Sequence, residues 1–154
     1  MVAVPDQLMW ELVRNNHSFM KKVNGRTKRS GCVEFSVEKG NLRSLNTFKY
    51  SGIANPKAVD VRATSDAGAV LTLKTKKSST NPDKGAADVS IDKHFRKTEK
   101  SINNIVVNSY YRPDLKDDVL AKYTCVNNAN RRVKGTMKKN VVAKGRKGWR
   151  SMKH

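Results

Sequence analysis

Two short stretches of the chain set aromatic rings directly beside cationic side chains. NTFKYSG, residues 46–52, places Phe48 and Tyr50 on either side of Lys49, and NSYYRPD, residues 108–114, places Tyr110 and Tyr111 next to Arg112. A third stretch, GRKGWR at 145–150, surrounds Trp149 with Arg146, Lys147 and Arg150. Rings and guanidinium planes stack on unpaired bases, while Lys and Arg meet phosphates, so this pairing of residue types points to nucleic acid. A packing role competes for three of the rings. Phe48 and Tyr50 alternate as in a strand and Tyr110 falls at helical spacing, which assigns them to the core. No apolar pattern requires Tyr111 or Trp149.

Other chemistry finds no support. The sequence lacks a G-x-x-x-x-G-K-[ST] loop and a G-x-G-x-x-G turn. Cys32 and Cys125 belong to no C-x-x-C pair, and His17, His94 and His154 stand at no ligand spacing from them. Both thiols read as small core or half-buried residues in a reducing compartment. A Cys32–His17 nucleophile pair has no spacing to recommend it over a strand cysteine and a surface histidine. The acids are scattered singly except Asp117–Asp118, so no carboxylate cluster offers to hold Mg²⁺. The expectation is a protein that is not an enzyme, with no cofactor, no metal and no small-molecule substrate.

Charge narrows the partner. The 154 residues carry 32 basic and 13 acidic side chains, a formal net charge of +19. Residues 131–154 hold ten of the basic residues and no acid, and residues 1–130 keep a net +9. A small domain is ordinarily soluble with a net charge of about 2–8, so the excess calls for a polyanion. The longest apolar runs, such as Ile105–Val107, are too short to span a bilayer, and no membrane partner is expected. The N-terminus shows neither a secretion signal nor an acid-poor transit peptide. Alone, a 131–154 tail of repelling charges with Gly135, Gly145 and Gly148 is expected to be disordered and to order on its partner.

The elements that must position these residues follow from periodicity. Leu8, Met9, Leu12 and Val13 form one face of a short helix, with Pro5 in its first turn and Asn15 or Asn16 at its exit. Val33, Phe35 and Val37 alternate with Glu34, Ser36 and Glu38, a strand with its apolar side inward. Thr47–Ser51 and Val59–Ala63 read as further strands. Ser65–Gly68 is a turn returning into Ala69–Lys74, and Ser18–Val23 and Asp88–Asp92 are weaker strands. Lys76–Ala86 is a polar loop. From Phe95 the period turns helical through Tyr110; a second helical pattern runs from Leu115 through Val126, with Asp114 as its cap and Asp117 and Asp118 in its first turn. Pro113 separates the two. Strands first and helices later make an α+β domain over residues 1–130: a short N-terminal helix, a small mainly antiparallel sheet and two C-terminal helices.

Taken together, WELVRNNHSF (10–19), NLRSLNTFKYSGIANPKAV (41–59) and YYRPDL (110–115), in this order and spacing, resemble one family. It is the eukaryote-specific large-subunit ribosomal protein numbered twenty-eight of the e-type, unrelated to the bacterial protein of that number. The resemblance covers about residues 5–130, and the tail matches it in composition alone. It implies a structural, non-catalytic constituent of the cytosolic large ribosomal subunit, assembled in the nucleolus, with large-subunit ribosomal RNA and neighbouring ribosomal proteins as partners. The candidate RNA contacts are Arg14 and Asn15 after the first helix, Lys49, Arg112 (with Pro113 and Asp114 a structural corner first and an RNA contact second), and in the tail Arg131, Arg132, Lys134, Lys138, Lys139, Lys144, Arg146, Lys147, Trp149 and Arg150. Two alternatives stand beside this reading. The same domain resembles that of a nucleolar assembly factor of the large subunit, which carries a long acidic C-terminal region; this chain has no acid after Asp118. The charge alone would also suit a DNA-binding chromatin protein.

Overall fold

The structure, a computed structural model, describes residues 4–22, 34–79, 81 and 84–138. Helix α1 (Asp6–Val13) leads into an antiparallel pair, β1 (Met20–Lys22) and β2 (Glu34–Ser36). A meander follows: β3 (Val59–Ala63), β4 (Ala69–Lys74) and β5 (Ala86–Ser90), in that spatial order and antiparallel throughout. Helix α2 (Phe95–Ile102) widens into a π-helical turn (Asn103–Asn108), and after a 3₁₀ turn at Pro113–Leu115 the long α3 (Lys116–Val133) closes the chain's described part. The architecture is α+β, with the antiparallel pairing divided between two small sheets.

One core holds the C-terminal two-thirds together. Val59 and Val61 of β3, Leu71 of β4 and Ile91 after β5 present the sheet's inner face, in the alternation that the sequence prescribes. Against it lie Ile102 and Val106 from the first helical segment and Leu115, Val119 and Tyr123 from α3. Each such side chain, fully buried, contributes roughly 1.5–3 kcal/mol. The Ser65–Gly68 turn is where it was expected. Asn130 donates its side-chain amide to Gly68 O at 2.8 Å, tying the end of α3 to that turn. α3 therefore runs three residues past Asn130, the boundary suggested by charge, and Thr136 Oγ1 donates back to Arg131 O (2.9 Å) to close it.

Several local readings are corrected. Thr47–Ser51 is no strand: Phe48–Tyr50 forms a 3₁₀ turn. Just after it the backbone passes so close to Lys39 that only glycine fits at position 52, where a Cβ would stand 2.1 Å from Lys39 O. β2 exists but faces the other way, with Ser36 at 0% and Glu38 at 5% exposure while Phe35 and Val37 stand at 39% and 54%. The reason is polar: Glu38 accepts from Asn41 Nδ2 (3.2 Å) and from the Ser51 hydroxyl (3.5 Å), and these partners lie on the domain's side. Helix α1 forms as its spacing predicts, yet buries none of its residues, and Leu12 is 69% exposed. Asp114 does not cap α3, whose N-terminus has no side-chain cap. Cys125 is exposed rather than half-buried, and Cys32 lies outside the described residues.

Candidate nucleic-acid interface

The cations divide into those that hold the fold and those that remain free to meet a ligand. Arg112 belongs to the first group. Its guanidinium donates to Lys49 O (2.9 Å), to Lys57 O (2.9 Å) and, through two nitrogens, to both carboxylate oxygens of Asp114 (2.8 Å each). The sequence reading made this arginine a structural corner first and an RNA contact second; the structure shows the corner, with the guanidinium committed to the chain's own carbonyls and to Asp114. The Arg112 bonds hold the Asp114 carboxyl below the usual carboxylate range, against a smaller opposing effect of burial. Lys74 does the same work from the other side, its ammonium donating to Gly52 O (2.8 Å) and Asn55 O (2.9 Å). Burial lowers its pKa, opposed by the charges of Asp6 and Glu38. Two cations thus clamp the carbonyls of the loop between Lys49 and Lys57, a segment with little regular hydrogen bonding of its own.

Lys49 is half-exposed, with its ammonium 3.5 Å from Asp118, the carboxylate that also accepts from the Tyr50 hydroxyl (2.9 Å) and pairs with Arg43 (3.5 Å). Asp118 was expected to serve the helix dipole; it also anchors the NTFKYSG turn to α3. Phe48 packs on Trp10 of α1, ring centroids 6.1 Å apart. Arg14 and Asn15 sit exposed at the end of α1, Arg14 paired with Glu11 at 3.1 Å, and both line a shallow cleft of ≈ 190 Å³ with Trp10, Glu34 and Asn46.

A group of exposed cations lies at the C-terminal end of α3. Arg131, Arg132 and Lys134 occupy the last turn of α3 and the residue after it, and Lys138 follows, all exposed. Arg131 and Lys134 share a small recess of ≈ 80 Å³ with Lys93, Asn127 and Asn130, above Asp92. The Ser90 hydroxyl (2.7 Å) and the Ala69 amide donate to Asp92, and these bonds, with Lys134 nearby, hold its carboxyl below the usual range against burial. The acid is thus engaged by the fold, and the rim keeps its positive charge. Sequence reasoning missed Lys93 and Asn127. Asn127, Asn130, Arg131 and Lys134 recur at helical spacing, a signal that was present; Lys93 joins them only through tertiary structure. Lys139, Lys144, Arg146, Lys147, Trp149 and Arg150 lie outside the described residues.

The two tyrosines of NSYYRPD exchange the roles that periodicity suggested. Tyr111 is half-buried, its hydroxyl donating to Lys74 O (2.5 Å), and burial raises its pKa. Tyr110 is exposed. Among the described residues no group of three or more His, Cys, Asp or Glu is placed to hold a metal ion, and no helix is long and apolar enough to cross a membrane.

Comparison with known proteins adds an independent finding. Residues 8–129 match the family model described as the Ribosomal L28e protein family. Curated relatives named large ribosomal subunit protein eL28 include one from Schizosaccharomyces pombe, 33% identical over 132 residues that cover 84% of this chain and 96% of the relative. One from Caenorhabditis elegans is 43% identical over 72 residues, 47% of this chain and 52% of the relative. One from Dictyostelium discoideum is 28% identical over 127 residues, covering 82% and 89%.

Proposed function

This chain belongs to the ribosomal L28e family, and on that premise we propose that it is a structural constituent of the large subunit of the eukaryotic cytosolic ribosome, bound to ribosomal RNA. The observation that carries the RNA contact is the basic end of α3. Arg131, Arg132, Lys134 and Lys138, with Lys93 beside them, lead into residues 139–154, a stretch with six further cations and no acid. Each phosphate met there releases condensed counterions, a gain available only on a polyanion. The domain supplies a rigid start, and the six cations beyond Lys138 add charge for further phosphates. Arg14, Asn15 and Lys49 add contacts of their own; Arg112 serves the fold first and RNA second. No step of catalysis is assigned to this chain. Nucleolar entry into the subunit and contacts with neighbouring ribosomal proteins complete the reading.

The competing role is a transient assembly factor of the same subunit. The relatives covered to 96% and 89% of their own length are named as large ribosomal subunit proteins, which favours the permanent constituent. Sedimentation of tagged protein tests the choice. The proposal expects the chain in mature large subunits and polysomes; recovery in precursor particles alone would overturn it.

A further inference from the structure

We propose that the Tyr110 ring stacks on an unpaired base of RNA, an inference that rests on the RNA-bound reading above and assigns one contact to one side chain. The residue is anomalous twice over. Its ring is 80% exposed, although an aromatic side chain at helical spacing from Val106 gains by turning inward. Its backbone stands at φ 52°, the left-handed region that glycine favours and bulky residues avoid.

The surroundings hold this arrangement in place. The Tyr110 amide donates to Val107 O (2.9 Å), and the Ser109 hydroxyl to Ile105 O. On the other side Tyr111 is anchored by its hydroxyl to Lys74 O, and the Arg112 amide donates to Val106 O (3.2 Å) while its guanidinium clamps Lys49 O and Lys57 O. The ring is therefore carried by a backbone corner that is held on both sides. A fixed corner favours a ligand, since little backbone freedom is left to lose there on binding.

The neighbourhood selects the class of ligand. Asn104, Asn108 and Ser109 are exposed around the turn, with Asn108 Nδ2 donating to Asn104 Oδ1 (2.8 Å). From Arg96 to Arg132 no other large apolar side chain is exposed. A pocket on a partner protein draws its affinity from an apolar surround that excludes water, which the polar Asn104, Asn108 and Ser109 do not supply. A base needs a flat face flanked by amides and hydroxyls, on a protein of net charge +19 that attracts its phosphates.

The test compares the full-length chain with Tyr110→Ala, Tyr110→Phe and Tyr110→Gly. The probes are a mixed-sequence single-stranded RNA of about 12 nucleotides, within the span of such sites, and an RNA duplex of equal length. Tyr110→Ala is expected to bind the single strand about 5- to 100-fold more weakly, with an unchanged salt slope and unchanged duplex affinity. Tyr110→Phe should stay near wild type. Tyr110→Gly should bind as weakly as Tyr110→Ala yet melt no lower than wild type, because glycine is at ease at this φ. Wild-type affinity in Tyr110→Ala would overturn the proposal; if that variant were also lost from purified large subunits, the ring would be filling a pocket on a neighbouring protein. A lower melting temperature in Tyr110→Gly would make the ring a structural support and overturn it too. Failure of the wild-type chain to bind either RNA would overturn the RNA-bound reading itself, a result separable from the others.

Discussion

Arg112 and Asp114 show how a pair of residues that looks like a binding site can be a clamp. Removing the guanidinium leaves Lys49 O, Lys57 O and the Asp114 carboxylate without their partner at once. Arg112→Ala should therefore cost the free protein about 2–3 kcal/mol, the range for charged hydrogen bonds lost from a largely covered site. Asp114→Ala should cost less, about 0.5–1 kcal/mol, because that carboxylate is 44% exposed and screened by water. Urea unfolding of both variants checks the order; a fully stable Arg112→Ala with weakened RNA affinity would restore the phosphate role. The pair also has a pH signature. Asp114 has a depressed folded-state pKa, so its stabilisation is complete above the unfolded value of about 3.9 and is lost as pH falls through the lower folded value. Wild type should lose more stability than Asp114→Asn on acidification from pH 5 to about 2, a difference that melting curves across this window would reveal. Equal acid losses in the two proteins would mean that the pair is not formed in solution.

At the scale of elements, what the sequence made legible were the meander and the long helix, because their apolar residues repeat over several positions in one core. The N-terminal third was harder to read, and β2 shows why. Its period of two was correct, but period alone does not say which face is inward. Buried Glu38, satisfied by Asn41 and Ser51, decides that from residues three and thirteen positions away. The same limit hid the 3₁₀ turn at Phe48–Tyr50, where alternation arises without a strand, and exchanged Tyr110 with Tyr111. The cations at the end of α3 were legible as composition and Arg112 as a corner; the carbonyls that Lys74 and Arg112 clamp were not, since only tertiary structure brings them there. Three substitutions follow. Phe35→Ala should cost under about 1 kcal/mol, whereas Leu71→Ala, in the sheet's dry face, should cost about 2–5 kcal/mol. Gly52→Ala should destabilise by about 1–3 kcal/mol or more, since the Lys39 backbone has to yield. Thermal unfolding of the three variants measures all of this; a Phe35→Ala loss equal to that of Leu71→Ala would mean β2 faces inward after all.

The whole molecule is a basic domain whose charge is concentrated towards one end of its sequence, and RNA binding through that end is the central claim. Truncation after Lys138 keeps every described element, including the Asn130–Gly68 bond and the turn that closes α3. It removes six cations and no acid. The most direct measurement is the affinity of the full-length and truncated proteins for large-subunit ribosomal RNA across a range of salt concentrations. Each neutralised phosphate contributes about 0.7–0.9 to the log–log slope, so loss of roughly four contacts should flatten the slope by about three. The truncated protein should melt as the full chain does. A slope unchanged by the truncation, with the fold intact, would contradict the account and assign the basic end to some other partner.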